Sequence, residues 1–188
     1  MKRLPRSFYD RDSLEVAPDL LGKVLCRRLP DGALIAARVV ETEAYRGVDD
    51  AASHAHGGPT PRSAIMFGPP GHAYVYLIYG MWSCLNAVTG PGRRASAVLL
   101  RAVHVPGDAR AGAGPGRLTR ALRIDRAQNG ADLARGRELW LADDGFRPDE
   151  IATGPRIGVD YAGEWAKKPW RFWIVGEAAV STPAGRRR

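Results

Sequence analysis

The sequence Ala-Leu-Ile-Ala-Ala-Arg-Val-Val-Glu-Thr-Glu-Ala-Tyr spans residues 33–45 and predicts a β-strand, because it is rich in Ala, Val and Ile and has few chain breakers. Side chains alternate across a strand, so Val39, Glu41, Glu43 and Tyr45 share one face. Two carboxylates on a face that is expected to be buried are unusual, because a buried charge is costly unless it is paired or functional. The pattern fits equally well a strand that ends near Glu41 and leaves both glutamates in water.

A second organising feature is an aromatic hairpin, predicted from two β-prone runs at residues 73–78 and 82–88. Tyr79 and Gly80 lie between the runs, and Gly80 permits the positive φ that a tight turn needs. A large aromatic at a hairpin tip is either a packed turn residue or a wedge aimed at a partner. In a basic protein, such a side chain can insert into DNA and unstack a base step.

The composition is that of a globular, strongly basic protein. The chain has 188 residues, enough for one domain with a substantial core, with 45% hydrophobic and 26% charged residues. The formal net charge is +8 and the isoelectric point is about 10.0, which favours an anionic partner, with nucleic acid first and a membrane surface second. We predict one domain over residues 1–180, followed by a basic, disordered tail at residues 181–188.

Cysteine usage and the N-terminus suggest where the protein resides. Cys26 and Cys84 both lie in apolar runs, so we expect buried, unpaired thiols in a reducing compartment. The first six residues lack the apolar run of a signal peptide, and no apolar stretch is long enough to cross a bilayer. We therefore expect a cytoplasmic protein.

The remaining apolar runs predict more strand than helix. A short helix capped by Asp12 precedes a strand at residues 23–28, which a turn at residues 30–32 joins to the strand that carries Glu43. Further strands are predicted at residues 95–103, 139–141 and 170–175. Because the strands connect through hairpins rather than regular crossover helices, we predict an α+β fold. It is a single domain around a curved, mostly antiparallel β-sheet with a protruding β-hairpin.

Two histidines, His54 and His56, lie in a long loop that is rich in Gly and Pro, and a loop of this length in a compact domain is often functional. Their spacing could suggest a metal site, but no cysteine or carboxylate cluster completes a set of four ligands. A structural or substrate-contacting histidine is therefore favoured over a metal ligand.

Two basic positions are further candidates. Arg101 interrupts an apolar strand, and its partner is a carboxylate in a core salt bridge, Glu43, or a substrate phosphate. Gly116 and Arg117 lie at the start of a predicted helix, where free amides and a basic side chain can bind phosphate. The glycines there also fit an ordinary loop or turn that binds no phosphate.

Six stretches are distinctive in combination, and they span nearly the whole chain. They are Leu-Leu-Gly-Lys-Val-Leu (20–25), Val-Glu-Thr-Glu-Ala-Tyr (40–45), Met-Phe (66–67), Tyr-Val-Tyr-Leu-Ile-Tyr-Gly-Met (74–81), Val-Leu-Leu-Arg-Ala (98–102) and Ala-Gly-Glu-Trp with a following Lys-Pro (162–165 and 168–169). In content and order they resemble the alkyladenine DNA glycosylase family, also called the 3-methyladenine DNA glycosylases. The combination is far more specific than any single stretch.

The resemblance implies a monofunctional DNA glycosylase of base excision repair. Its substrates would be alkylated or deaminated purines such as 3-methyladenine, hypoxanthine and ethenoadenine, and the damaged nucleotide must flip out of the stack to be reached. By the same resemblance, Tyr79 intercalates into the gap left in the duplex, and Tyr45, His54 and Tyr76 line the pocket for the base. Stacking suits an electron-poor alkylated purine, because a cationic ring adds a cation–π attraction to dispersion.

The implied chemistry is glycoside hydrolysis through an oxocarbenium-like transition state, which needs a carboxylate to deprotonate water and stabilise the sugar cation. The resemblance assigns this role to Glu43 and places Arg101 and the backbone carbonyl of Ile157 around the same water. Asn86 is implied to border the pocket and to discriminate against purines with an exocyclic amino group. A cationic N-alkylated purine leaves without protonation, whereas neutral hypoxanthine needs a general acid, and the sequence identifies none.

The internal lysines, Lys23, Lys167 and Lys168, lie outside the matched active-site motifs, which favours water over an amine as the nucleophile. No cofactor and no metal is implied. We expect a monomer that binds double-stranded DNA containing a damaged purine and that does not bind a membrane. One alternative is a non-catalytic nucleic-acid-binding module on a similar sheet, which has little use for Glu43. Another is a hydrolase of free nucleosides, which has little use for a basic surface and a tip aromatic.

Overall fold

A computed structural model describes residues 1–108 and 110–181 of the chain, without the side chain of Arg93. The strands are β1 (Lys2–Arg3), β2 (Val24–Arg28), β3 (Leu34–Tyr45), β4 (Ala73–Ile78), β5 (Trp82–Thr89), β6 (Ser96–His104), β7 (Leu139–Asp143), β8 (Ile151–Gly154) and β9 (Arg171–Ile174). The α-helices are α1 (Arg6–Tyr9), α2 (Ser13–Asp19) and α3 (Pro115–Ala121). Short 3-10 helices occupy Gly47–Asp49, Ala64–Phe67, Pro91–Arg93, Arg126–Gln128 and Asp160–Lys167.

The nine strands form one curled sheet in which the pairings are antiparallel, with the order β1-β7-β2-β3-β6-β5-β4. A hairpin of β8 and β9 joins this sheet through β9, which pairs with β3. With only a few short helices, the protein has the predicted α+β fold around an antiparallel sheet, and that prediction is confirmed. How far the β4–β5 hairpin protrudes stays a prediction.

Strand β3 is the centre of the sheet, because it has neighbours on both edges. Its first half, Leu34–Arg38, pairs with β2, and where β2 ends, the segment Glu41–Glu43 pairs with β9. Strand β6 runs along the opposite edge, with a register shift on either side of Glu41. Both glutamates are fully buried. The alternative in which the strand ends near Glu41 and leaves the glutamates in water is therefore wrong.

The two faces of β3 have different surroundings. On one face, the Thr42 hydroxyl donates to the Ala17 carbonyl of α2 at 2.9 Å. Helix α2 begins where expected, with the Asp12 side chain accepting from the Leu14 amide at 2.9 Å. The other face carries Glu41 and Glu43. This alternation places the core and helix α2 behind the sheet and leaves the acidic face for a site.

The β4–β5 hairpin turns at Tyr79 and Gly80, where the Met81 amide donates to the Ile78 carbonyl at 3.2 Å. Both turn residues have positive φ, 52° for Tyr79 and 71° for Gly80, as in a type I′ turn. Such a turn favours Asn-Gly, and a tyrosine in this conformation is strained by about 1 kcal/mol or more. The Tyr79 side chain is 86% exposed, so it is not a packed turn residue.

Some features were missed by the sequence analysis or lie beyond the described residues. Strands β1 and β8, of two and four residues, were not predicted. The cysteines are buried and free, as expected. Residues 182–188, most of the predicted tail, lie outside the described residues, whereas Ser181 is described and hydrogen bonds Glu41. The division at residue 180 stays a prediction. No helix in the described part of the chain is both long and apolar enough to span a bilayer.

Candidate active site

A cavity of about 340 Å³ opens over the acidic face of β3. Strands β3 to β6, the loop that follows β3 and the segment that joins β8 to β9 all contribute to its lining. The cavity brings together the residues that the resemblance implied for catalysis, base binding and intercalation. They are Glu43, Tyr45, His54, Tyr76, Tyr79, Asn86, Arg101 and Ile157.

Glu43 is held at the cavity wall by three groups. Its Oε1 accepts from the Ile157 amide at 2.8 Å, and its Oε2 accepts from the Tyr45 hydroxyl at 2.9 Å. The Arg101 Nη1 atom lies 3.4 Å from Oε1. Burial raises the pKa of the Glu43 carboxyl above its usual range, while Arg101 and the two hydrogen bonds act to lower it. The result is a desolvated, rigidly oriented carboxylate, which suits a general base.

The Tyr45 hydroxyl stays protonated and so remains a hydrogen-bond donor to this carboxylate. Burial, with the Glu43 charge as the next cause, raises the pKa of the Tyr45 hydroxyl well above its ordinary value. The hydroxyl therefore keeps its proton across the working pH range and donates to Glu43.

The Ile157 backbone contributes its amide, whereas the resemblance implied its carbonyl. The amide hydrogen bond to Glu43 is a direct contact, and a water contact of the carbonyl stays a prediction. A backbone donor leaves no mark in the side-chain pattern of a sequence, so this contact could not be predicted from composition or spacing.

A buried ion pair between Asp50 and Arg156 fixes the segment that supplies this amide. The two Nη atoms of Arg156 donate to the two carboxylate oxygens at 2.5 and 2.9 Å, and neither side chain is exposed. Nη1 also donates to the Ala44 carbonyl at 3.0 Å, and Nη2 donates to the Trp165 carbonyl at 3.1 Å. The pair thus ties the end of β3 to the segment between β8 and β9.

The same guanidinium packs against two aromatic rings. Its central carbon lies 4.7 Å from the Tyr45 ring centroid and 5.0 Å from that of Trp170. Arg156 therefore restrains Tyr45 and, through its neighbour Ile157, the amide that binds Glu43. The sequence analysis missed this pair.

An aromatic wall faces the acidic side of the cavity. The His54 Nδ1 atom lies 2.9 Å from the Tyr74 hydroxyl, and the His54 ring meets the Tyr76 ring edge-on at a centroid distance of 4.6 Å. Burial, with Arg62 as a smaller cause, lowers the pKa of His54 to about 4, so the imidazole is neutral at neutral pH. Arg62 lies over Tyr76, 4.7 Å from the ring centroid. Tyr74 and Arg62 had not been predicted as site residues.

Asn86 completes the wall from β5. Its side chain is 3% exposed, and its Nδ2 atom donates to the Tyr74 carbonyl at 3.1 Å across the β4–β5 pair. This bond fixes the amide at the border of the cavity. Its implied role in discriminating between purines stays a prediction.

The glycine at the start of α3 has a packing explanation. A Cβ atom on Gly116 would lie 3.1 Å from the Trp82 ring, tighter than ordinary contact, so the glycine lets the helix approach the hairpin. Helix α3 has only seven residues, Arg117 is exposed, and the preceding Pro115 lines the cavity. Phosphate binding by Gly116 and Arg117 stays a prediction.

The histidine pair of the long loop is divided. His56 places Nδ1 2.7 Å from the Val48 carbonyl, and only His54 of the two is among the residues that line the cavity. Within residues 1–108 and 110–181, no group of three His, Cys, Asp or Glu side chains is placed to hold a metal ion.

Comparison with known proteins agrees with the family that the motifs resemble. The sequence profile of the methylpurine-DNA glycosylase family matches residues 7–178. Relatives from several bacteria and an archaeon carry the name "Putative 3-methyladenine DNA glycosylase". The protein of Anaeromyxobacter dehalogenans (strain 2CP-C) is 56% identical over 97% of this chain and 88% of its own length. That of Methanocella arvoryzae is 50% identical over 98% of both chains, and that of Streptomyces avermitilis is 46% identical over 98% of this chain and 95% of its own. The chain therefore belongs to the methylpurine-DNA glycosylase family and is a DNA glycosylase, a hydrolase of N-glycosyl bonds.

Proposed function

We propose that this glycosylase excises alkylated or deaminated purines, of the 3-methyladenine, hypoxanthine and ethenoadenine type, from double-stranded DNA. The damaged nucleotide flips into the cavity, and Glu43 activates the water that displaces the base. The observation that carries the proposal is Glu43 itself, a fully buried carboxylate with three fixed partners on the wall of a cavity that also presents several aromatic rings. The names of the relatives, which include 3-methyladenine, support the same substrate class.

The cavity suits a flat, electron-poor base. Its volume of about 340 Å³ lies at the lower end of the ~300–1,000 Å³ range of small-ligand pockets. Tyr45 and Tyr76 offer ring faces and edges for stacking, and His54, with its lowered pKa, adds no positive charge. A cationic purine therefore meets π-systems and the Glu43 carboxylate, in a lining that also includes the Arg62 and Arg101 guanidinium groups.

The reaction follows from these positions. The water oxygen bonds to C1′ of the deoxyribose, its proton passes to the Glu43 carboxylate, and the electron pair of the N-glycosyl bond leaves with the base. A cationic alkylated purine departs as a neutral molecule without further protonation. Arg101 and the Ile157 amide hold Glu43 in place for the proton transfer. The His54 ring is not a general acid at neutral pH, because it is already neutral.

The proposal is tested with duplex DNA that carries one hypoxanthine or one 1,N6-ethenoadenine, treated with alkali after incubation. We expect a strand break at the lesion only after alkali, because a monofunctional glycosylase leaves an abasic site. An undamaged duplex of the same sequence is the control. Binding without alkali-labile sites on either lesion would remove these neutral purines from the proposed substrates.

Replacing Tyr79 with Asn should weaken capture of the flipped nucleotide more than bond cleavage. An Asn-Gly turn suits the positive φ at this position, so the hairpin is kept while the wedge is removed. The wedge offsets an unstacking cost of roughly a few kcal/mol. A fluorescent base analogue beside the lesion reports the flip during binding. An unchanged flipping signal together with unchanged lesion affinity would show that Tyr79 is not the wedge.

Binding to undamaged DNA should depend steeply on salt, because the net charge is +8 and each neutralised phosphate releases counterions. Log affinity plotted against log salt should fall steeply, and Arg117→Gln should reduce the slope by about one phosphate contact. Arg28→Gln, on β2 away from the hairpin strands, is the matched control.

A chain that ends after Ser181 should show a slightly smaller slope with an unchanged single-turnover rate. A salt-independent affinity would rule out electrostatic binding.

A further inference from the structure

Glu41 is a second buried carboxylate beside the site, and the reaction described above does not use it. Its Oε1 atom accepts from Arg171 Nη1 at 2.9 Å and lies 3.4 Å from Arg101 Nε. Its Oε2 atom accepts from both the amide and the hydroxyl of Ser181, at 2.7 and 2.6 Å. A fully buried side chain with this many partners is fixed in one position.

Ser181 closes a triangle with Glu41 and Arg101. Its hydroxyl oxygen accepts from Arg101 Nε at 2.9 Å while its hydrogen points to Glu41. The far end of the same guanidinium, Nη1, lies 3.4 Å from Glu43 Oε1. Arg101 is therefore anchored on one side by Glu41 and Ser181 and presents its other side to Glu43.

We propose that Glu41 and Ser181 form a positioning pair that holds the Arg101 guanidinium against the catalytic carboxylate Glu43. The inference rests on the proposed role of Glu43 and adds two residues to it, one of them at the far end of the described chain. Glu41 and Ser181 touch neither water nor base in this account, and they act through Arg101.

The pair also influences the ionisation of Glu43, the proposed general base. The charged or titratable groups that face Glu43 are Tyr45 and Glu41 of β3, Arg101 of β6 and Cys84 of β5. Arg171 of β9 is directed to Glu41, and the Arg101 charge is shared between two carboxylates. Removing the negative charge of Glu41 removes its repulsion of the Glu43 carboxylate, which favours the ionised form of Glu43.

The test is the single-turnover rate of base release as a function of pH, on duplex DNA that contains a permanently cationic N-alkylated purine. The acid limb is the low-pH part of this profile, where the rate rises as Glu43 ionises. In Glu41→Gln, we expect the acid limb to move to lower pH by about one unit, the size typical of one nearby charge. In Ser181→Ala, which keeps the Glu41 charge, we expect a lower plateau rate and an acid limb close to that of the wild type. A merely structural role would lower stability and leave the plateau rate of folded Ser181→Ala at the wild-type value.

Thr42→Val is the matched control, since it removes a buried hydroxyl bond on the opposite face of the same strand. A second measurement does not depend on the activity of the enzyme. Exchange of the Arg101 Nε proton with solvent, followed by NMR, should speed up at least tenfold in Ser181→Ala and not in Thr42→Val.

A folded Glu41→Gln protein with an unmoved acid limb would overturn the proposal. If Glu41→Gln does not fold, Ser181→Ala decides, and a wild-type rate with wild-type Nε–H exchange would refute the positioning pair. If the wild-type protein released no base from any of the lesions, or if Glu43→Gln were fully active, the proposed function would instead be refuted.

Discussion

Glu43→Gln should reduce base release by ~10²–10⁴-fold or more while leaving lesion binding largely intact, because the variant loses the general base and keeps the shape of the cavity. Gln matches Glu in volume and still offers an acceptor to the Ile157 amide or the Tyr45 hydroxyl. The stacking residues are untouched. The loss should therefore appear in the chemical step and not in the affinity.

Single-turnover assays at saturating enzyme measure the chemical step, and titration with lesion-containing duplex measures binding. Glu138→Gln is the matched control, because it makes the same acid-to-amide change at a half-exposed ion pair with Arg27. Its release rate should equal that of the wild type. A wild-type single-turnover rate in Glu43→Gln would show that Glu43 is not the base and that the mechanism is wrong.

Asp50→Asn should lower the free energy of unfolding by about 3–5 kcal/mol, the range for breaking one side of a buried ion pair. The Arg156 guanidinium, which has no exposure, would keep its charge and lose the carboxylate that neutralises it. We also expect a slower single-turnover rate, because Arg156 restrains the Tyr45 ring and adjoins Ile157.

Urea unfolding, with the slope compared between variants, measures this change. Glu164→Gln is the control, because its ion pair with Lys167, at 2.7 Å, is on the surface and should contribute little. A loss in Asp50→Asn as small as that in Glu164→Gln would mean that the pair is not structurally important.

The fold was predictable where the pattern is local. The Ala, Val and Ile content of residues 33–45 indicated β3, and Gly80 between two β-prone runs indicated the hairpin, because both signals depend on neighbouring residues. Whether the glutamates of β3 are buried was not predictable, since it depends on β9, more than a hundred residues away, taking over the edge that β2 leaves.

The candidate site was predicted through its motifs, and its supports were missed. Asp50 and Arg156 are 106 residues apart, and Glu41 and Ser181 are 140 residues apart, so spacing in the sequence gives no sign of either contact. Ser181 was assigned to a tail by composition, although its hydroxyl and amide bind a buried carboxylate. Such contacts are fixed by the closure of the sheet rather than by local pattern.

The pH dependence of the wild-type enzyme on a cationic N-alkylated purine tests the central claim most directly. Such a base needs no general acid, so the single-turnover rate reports the ionisation of the general base alone. The account predicts a rate that rises through one ionisation and then stays level, with an apparent pKa above the usual range of a glutamate, because burial raises the pKa of Glu43. A rate that does not change with pH, or the same acid limb in Glu43→Gln, would contradict it.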